Sequence, residues 1–135
     1  MMEEKAYFKY WGKARKEGEE GALCHLLPYH CLDVAAVGQV LLARHHHLKM
    51  RLLGLSGLDE GSFTKWVLFY LAIHDLGKFS ESFQNLRPDL LVRLQGRASD
   101  KAYSLRHDSL GHALWLSQIR SWVLGLQGSG RRGHI

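Results

Sequence analysis

The stretch YLAIHDLGKFSESFQN, residues 70–85, sets His74 directly before Asp75 at the end of an apolar run, with Lys78 one helical turn later. Two other stretches carry the same residue types. HLLPYHCLD (25–33) holds His30 and Asp33 one turn apart near a helix start, and RHDSLGH (106–112) holds His107, Asp108 and His112. Imidazole and carboxylate donors together suit first-row divalent metals better than calcium or a thiolate zinc site. Adjacent residues on a helix diverge by about 100°. His74 and Asp75 therefore reach one ion only if the helix ends or its backbone distorts there, and Gly77 just downstream supplies such an end.

Each motif alone also has a plain structural explanation. A histidine near a helix C-terminus complements the helix dipole, and a nearby aspartate can cap the segment that follows. Three such motifs, separated by apolar helices that must pack together, favour a shared metal site. Lys78 places a cation where a metal-bound phosphate needs one; otherwise it is a solvated lysine at a helix end. His25, five residues before His30, stands either beside the ligands or in a loop. The triplet His45–His46–His47 points in three directions on a helix, cannot chelate one ion as a unit, and reads as an exposed helix end.

The elements that position these residues are helical. Residues 1–24 form a polar lead-in with an aromatic cluster (Tyr7, Phe8, Tyr10, Trp11), and Gly18 and Gly21 suggest a loop. A helix begins at Pro28 and runs through PYHCLDVAAVGQVLLARHHHLKMRLL, with Val34, Val37, Leu41 and Leu42 at helical spacing. Gly54, Gly57 and Gly61 break the pattern. A second helix, apolar nearly all round as a central helix would be, runs from about Leu58–Ser62 through FTKWVLFYLAIHD. SESFQN makes a short helical turn, Pro88 opens another apolar segment, and QGRASDKAYS reads as a loop. The last helix is HDSLGHALWLSQIRSWVLGL. The expected fold is all-α, with one domain over residues 1–126 and a flexible Gly- and Arg-rich tail at 127–135.

The totals bound the class. At 135 residues the chain is one domain with a single core, and 46% hydrophobic with 23% charged residues is ordinary for a globular protein. No apolar run approaches the roughly 18–20 residues that span a bilayer, and the charged start MMEEKAYFKYWGKARKEGEEG is no secretory signal. Cytoplasmic residence is the expectation. Cys24 and Cys31 lack zinc-knuckle spacing and read as reduced thiols. A formal charge of +5 mildly favours a polyanionic partner.

An adjacent His–Asp pair between helices resembles the signature of the HD superfamily of metal-dependent phosphohydrolases. The chain is similar to one branch of it, the HD nuclease domain at the start of the type I CRISPR-associated helicase–nuclease. The likeness rests on YWGKA (10–14), HLLPYHCLDVAAV (25–37), LAIHDLGKFSESFQ (71–84) and RHDSLGHAL (106–114), in the family's order. The run from His74 through Gln84 is the most specific, because the His-Asp-x-Gly-Lys core extends into the Phe-x-x-x-Phe-Gln of that branch.

The resemblance implies an HD-domain helical bundle and a nuclease site that cuts single-stranded DNA with divalent metals. It implies metal ligation by His30, His74 and Asp75, with Asp75 able to serve two ions, and by His107 at a second ion. It also implies that Lys78 lies near the scissile phosphate, with Asp75 and Lys78 as the catalytic pair. His25, Asp33 and His112 are expected around these ligands. The implied cofactor is one or two divalent ions (Mn, Ni, Fe, Co or Mg). The implied partners are single-stranded DNA, the CRISPR surveillance complex and a helicase subunit, with no membrane.

The family pattern continues past this length with a pair of adjacent histidines and a further aspartate, whereas the sequence here ends at Ile135. The expectation is a shortened domain with weak occupancy of one metal or reduced catalysis. Apolar surface around Trp115, Trp122 and Leu126 would then drive a homodimer or a domain swap. Two other readings compete: a non-cutting HD-like adaptor or decoy that binds the surveillance complex or DNA, and a small HD phosphohydrolase acting on nucleotides.

Overall fold

The computed structural model describes residues 5–125. The expected boundary at 126, the tail at 127–135 and Leu126 lie outside them. A short 3-10 turn, Ala6–Lys9, leads into β1 (Trp11–Ala14), which pairs antiparallel with β2 (Cys24–Leu26). Then come α1 (Leu27–Arg44), α2 (His46–Ser56), α3 (Glu60–Ile73), a 3-10 turn (Leu76–Phe79), α4 (Glu81–Gln84) and α5 (Pro88–Gln95). After a loop, α6 (His107–Leu114) passes through a π-turn (Trp115–Ile119) into α7 (Arg120–Val123).

The fold is all-α in class, as expected, with the one small sheet added at the polar lead-in. The helix expected from Pro28 through LKMRLL is instead two. His45, at φ −107° and ψ 71°, ends α1 and starts α2, so the histidine triplet lies at a break, and all three residues are exposed.

Local signals set the remaining boundaries. Gly57 closes α2 in the left-handed region at φ 67°, which costs glycine little. Asp59 caps α3 by accepting the Ser62 N–H at 2.9 Å, and Ser80 caps α4 through the Phe83 N–H at 3.3 Å.

α1 packs on α3, with Gly38 set against the Leu71 side chain, whose tip an added Cβ would displace. A second cluster, Trp11, Phe83 and Leu90 with Tyr103 and Leu94 against it, joins the hairpin to α4 and α5. Leu27, Leu90 and Leu91 are fully buried, each stabilising the fold by about 1.5–3 kcal/mol. α3 is less enclosed than its all-round apolar sequence suggests: Phe63 is its buried residue, and Tyr70 is exposed. No helix among the described residues is long and apolar enough to cross a membrane.

Candidate metal centre

α3 ends where the chemistry begins. His74 keeps helical angles, but Asp75 leaves them at φ −100° and ψ 23°. That change brings two adjacent side chains together, so that His74 Nε2 lies 3.1 Å from Asp75 Oδ2. The following 3-10 turn carries Lys78 back over the same carboxylate, with Nζ 2.7 Å from Oδ2 and 3.2 Å from the Gly12 carbonyl. From the first turn of α1, His30 Nε2 reaches the same Oδ2 at 3.0 Å. From the start of α6, His107 Nε2 faces the other oxygen, Oδ1, at 3.5 Å.

Asp75 is the hub and is buried, at 6% exposure. Burial alone pushes its carboxyl up. The bonded Lys78 ammonium, followed by His74 and His30, more than offsets this and holds the carboxyl below its ordinary range. The two thiols are pushed up, Cys24 and Cys31 alike, chiefly by burial, with Asp75 adding at Cys31, so both stay protonated.

His74 decides whether this donor set fits a metal. Its Nδ1 lies 2.7 Å from the Leu71 carbonyl, which can only accept, so Nδ1 carries the ring proton. That leaves Nε2 as the ring atom facing the Asp75 carboxylate. The two atoms lie 3.1 Å apart. Donors each about 2.1 Å from one ion, at tetrahedral or octahedral angles, lie about 3–3.4 Å apart. The donor atoms of His30, His74 and Asp75 all fall within 4.8 Å of one another, and the residues fit a divalent ion.

The other expected residues sit further out. His25 and Asp33 pair with each other at 2.8 Å on the surface, with the His25 ring edge-on to His30 at 6.4 Å. His112 lines a cleft of about 310 Å³ beside His74, together with Asp108, Tyr70 and Trp115.

Three residues emerge that sequence reasoning did not single out for the site. Gly12 supplies the carbonyl that holds Lys78. Gln84 is fully buried and donates to the Lys78 carbonyl at 2.8 Å. Tyr103, in the loop before α6, touches His107 twice. Gly12 and Gln84 lay inside the YWGKA and 71–84 stretches, whereas nothing in the sequence pointed to Tyr103.

The family model described as "Cas3, HD domain" matches residues 11–131, a span that contains every residue converging on Asp75. The chain belongs to the Cas3 HD domain family. It is 41% identical over 116 residues to the CRISPR-associated endonuclease/helicase Cas3 of Escherichia coli (strain K12). That match covers 81% of this chain and 13% of the relative, so the chain spans a small part of the relative's length. No solved structure matches the chain significantly. Within this Cas3 HD domain the helix ends, rather than any one helix face, assemble the candidate metal centre: the start of α1, the end of α3 and the start of α6.

Proposed function

We propose that this Cas3 HD domain is a nuclease module that hydrolyses phosphodiester bonds of single-stranded DNA in CRISPR interference, in the cytoplasm. The observation that carries the reading is the convergence of His30, His74, Lys78 and His107 on the one buried carboxylate of Asp75.

In this reading His30, His74 and Asp75 would hold one divalent transition ion, and Asp75 with His107 would offer donors to a second. When bound, such an ion would lower the pKa of a water and neutralise charge on the phosphate. The chain's own residues do the positioning. The Leu71 carbonyl fixes the His74 tautomer, Gly12 and Gln84 hold the Lys78 segment, and the Lys78 ammonium is the cation for a phosphate oxygen. Among the described residues the second ion has the sparser donor set. Cutting by this chain alone is accordingly weak, and added donors from a helicase-bearing partner or a second copy raise it. Trp122, at 71% exposure, and Leu116, at 52%, offer apolar surface for such a copy. Sedimentation showing only monomer across concentrations would remove the second copy from this account.

One observation favours a second reading, a non-cutting adaptor that engages the surveillance complex or DNA. Lys78 already pairs with Asp75 and so occupies a cation's place at that oxygen. Metal stoichiometry after loading with Mn²⁺, Ni²⁺ or Fe²⁺, beside Asp75→Ala, separates the two. One or two ions per chain, lost in the variant, together with cleavage of single-stranded DNA but not of nucleoside phosphates, upholds the nuclease. Absence of specific binding leaves the adaptor.

A further inference from the structure

The geometry points to Tyr103 as a positioning residue for His107, an inference that rests on the nuclease reading only for its effect on metal binding. His107 is the first residue of α6, and Arg106 before it provides no side-chain cap. The missing acceptor comes from Tyr103: its phenolic Oη accepts the His107 backbone N–H at 2.8 Å. The same Oη stands 3.0 Å from His107 Nδ1.

A phenolic oxygen has one hydrogen and two lone pairs. With one lone pair taken by the backbone, Oη can donate its hydrogen to Nδ1 or accept one from it. Tyr103 therefore holds the imidazole in either tautomer and fixes the ring plane without fixing the proton. Phe83 completes the clamp, meeting the His107 ring at 5.1 Å and 66° and the Tyr103 ring at 6.0 Å and 73°. What remains free is Nε2, facing Asp75 Oδ1.

Tyr103 is itself held. It packs on the Trp11–Phe83–Leu90 cluster. Its loop is tied to α4 two residues earlier, where Asn85 Nδ2 donates to the Lys101 carbonyl at 3.1 Å and Glu81 pairs with Arg97 and Lys101. A partner that orients a ligating histidine through its other nitrogen typically accounts for about 10–100-fold in metal affinity.

The test uses the full chain, ¹⁵N-labelled at histidine and metal-free, with His107→Ala assigning the His107 imidazole signals. Tyr103→Phe keeps the ring packing and removes only Oη. The expected result is that the His107 nitrogen signals shift, because Nδ1 loses its partner, while those of His30 and His74 stay. Unchanged His107 signals overturn the inference.

A helix-cap role is separated by adding Arg106→Ser to Tyr103→Phe, which restores a cap but not the contact with Nδ1. The thermal midpoint should recover and the His107 signals should stay displaced; recovery of both overturns the positioning role. In a Mn²⁺ titration, Tyr103→Phe should weaken the ion that depends on His107 by about 10–100-fold and leave the other ion in place. Wild-type protein that binds no Mn²⁺ removes the nuclease reading, and the imidazole signals still decide the role of Tyr103.

Discussion

Gln84 and Trp11 are hydrogen-bonded to each other three times. Gln84 Oε1 accepts the Trp11 backbone N–H at 3.1 Å, Nε2 donates to the Trp11 carbonyl at 2.9 Å, and the Trp11 indole N–H donates to the Gln84 carbonyl at 3.1 Å. The same Nε2 donates to the Lys78 carbonyl. A fully buried amide with each side-chain atom bonded is a fixed joint, and here it fastens the hairpin to the turn that carries the site's lysine. Gln84→Leu deprives three backbone groups of the partner Gln84 supplies, at about 1–3 kcal/mol each when water cannot replace it. We expect a loss of about 3–5 kcal/mol in urea unfolding with the m-value unchanged. A loss below about 1 kcal/mol would mean that water takes over the joint.

Gly77 meets α6 with no room to spare. A Cβ there would overlap the His107 carbonyl oxygen and lie 2.7 Å from its carbon and 2.9 Å from the Gly111 nitrogen, all of them backbone atoms that cannot rotate away. Gly77→Ala should cost about 1–3 kcal/mol and displace His107. Ion binding that depends on His107 then falls while that of His30, His74 and Asp75 persists. Gly54 is the control: it lies inside α2 with nothing within 4 Å of an added Cβ. Gly54→Ala should stabilise by about 0.5–1 kcal/mol. Equal thermal shifts in the two variants would contradict the packing argument.

Much of this was legible in the sequence where the cause is local. Pro28 and Pro88 start helices, Gly57 and Gly96 end them in left-handed geometry, and His74–Asp75 falls at a helix end, as sharing one ion would require. The illegible parts have distant causes. β1 and β2 are only 4 and 3 residues long, too short for strand alternation to show. The bonds from Gln84 that help fix β1 come from 73 residues away. The break at His45 carries no Gly or Pro signal. Tyr103 looked like one more loop residue, because its role depends on where α6 is placed against α4.

Asp89 gives a direct check on electrostatics near the hairpin. Arg87 grips it with two bonds, Nε to Oδ1 at 2.8 Å and a terminal nitrogen to Oδ2 at 2.7 Å. These bonds lower the Asp89 pKa from 3.8 to about 2, against the opposing effect of burial. A depressed carboxyl adds stability that is fully present above its unfolded value and is lost as pH falls through the folded one. The window here therefore runs from near 3.8 down to about 2. The pair is exposed, so the stability change is small and the direct readout is the Asp89 titration by NMR. Its midpoint should lie near 2 and return toward 3.8 in Arg87→Ala. A wild-type midpoint near 3.8 would mean that the grip does not persist in solution.

Lys78 separates metal binding from catalysis. Its ammonium lies on the Asp75 oxygen that a divalent ion also needs, so lysine and ion compete there. In Lys78→Met the competitor is gone, and apparent Mn²⁺ affinity should rise about 3–10-fold, or about 0.7–1.4 kcal/mol. The metal-free variant should at the same time be less stable, because the buried carboxylate loses its main counter-charge. Cleavage of single-stranded DNA should move the opposite way, down about 10²-fold, because the cation for the phosphate is lost. Titration and cleavage on one preparation read both effects. If affinity and cleavage fall together, Lys78 acts only through its bond to the Gly12 carbonyl. If cleavage is unchanged while affinity rises, the phosphate contact is absent and Lys78 serves as a placeholder for the ion.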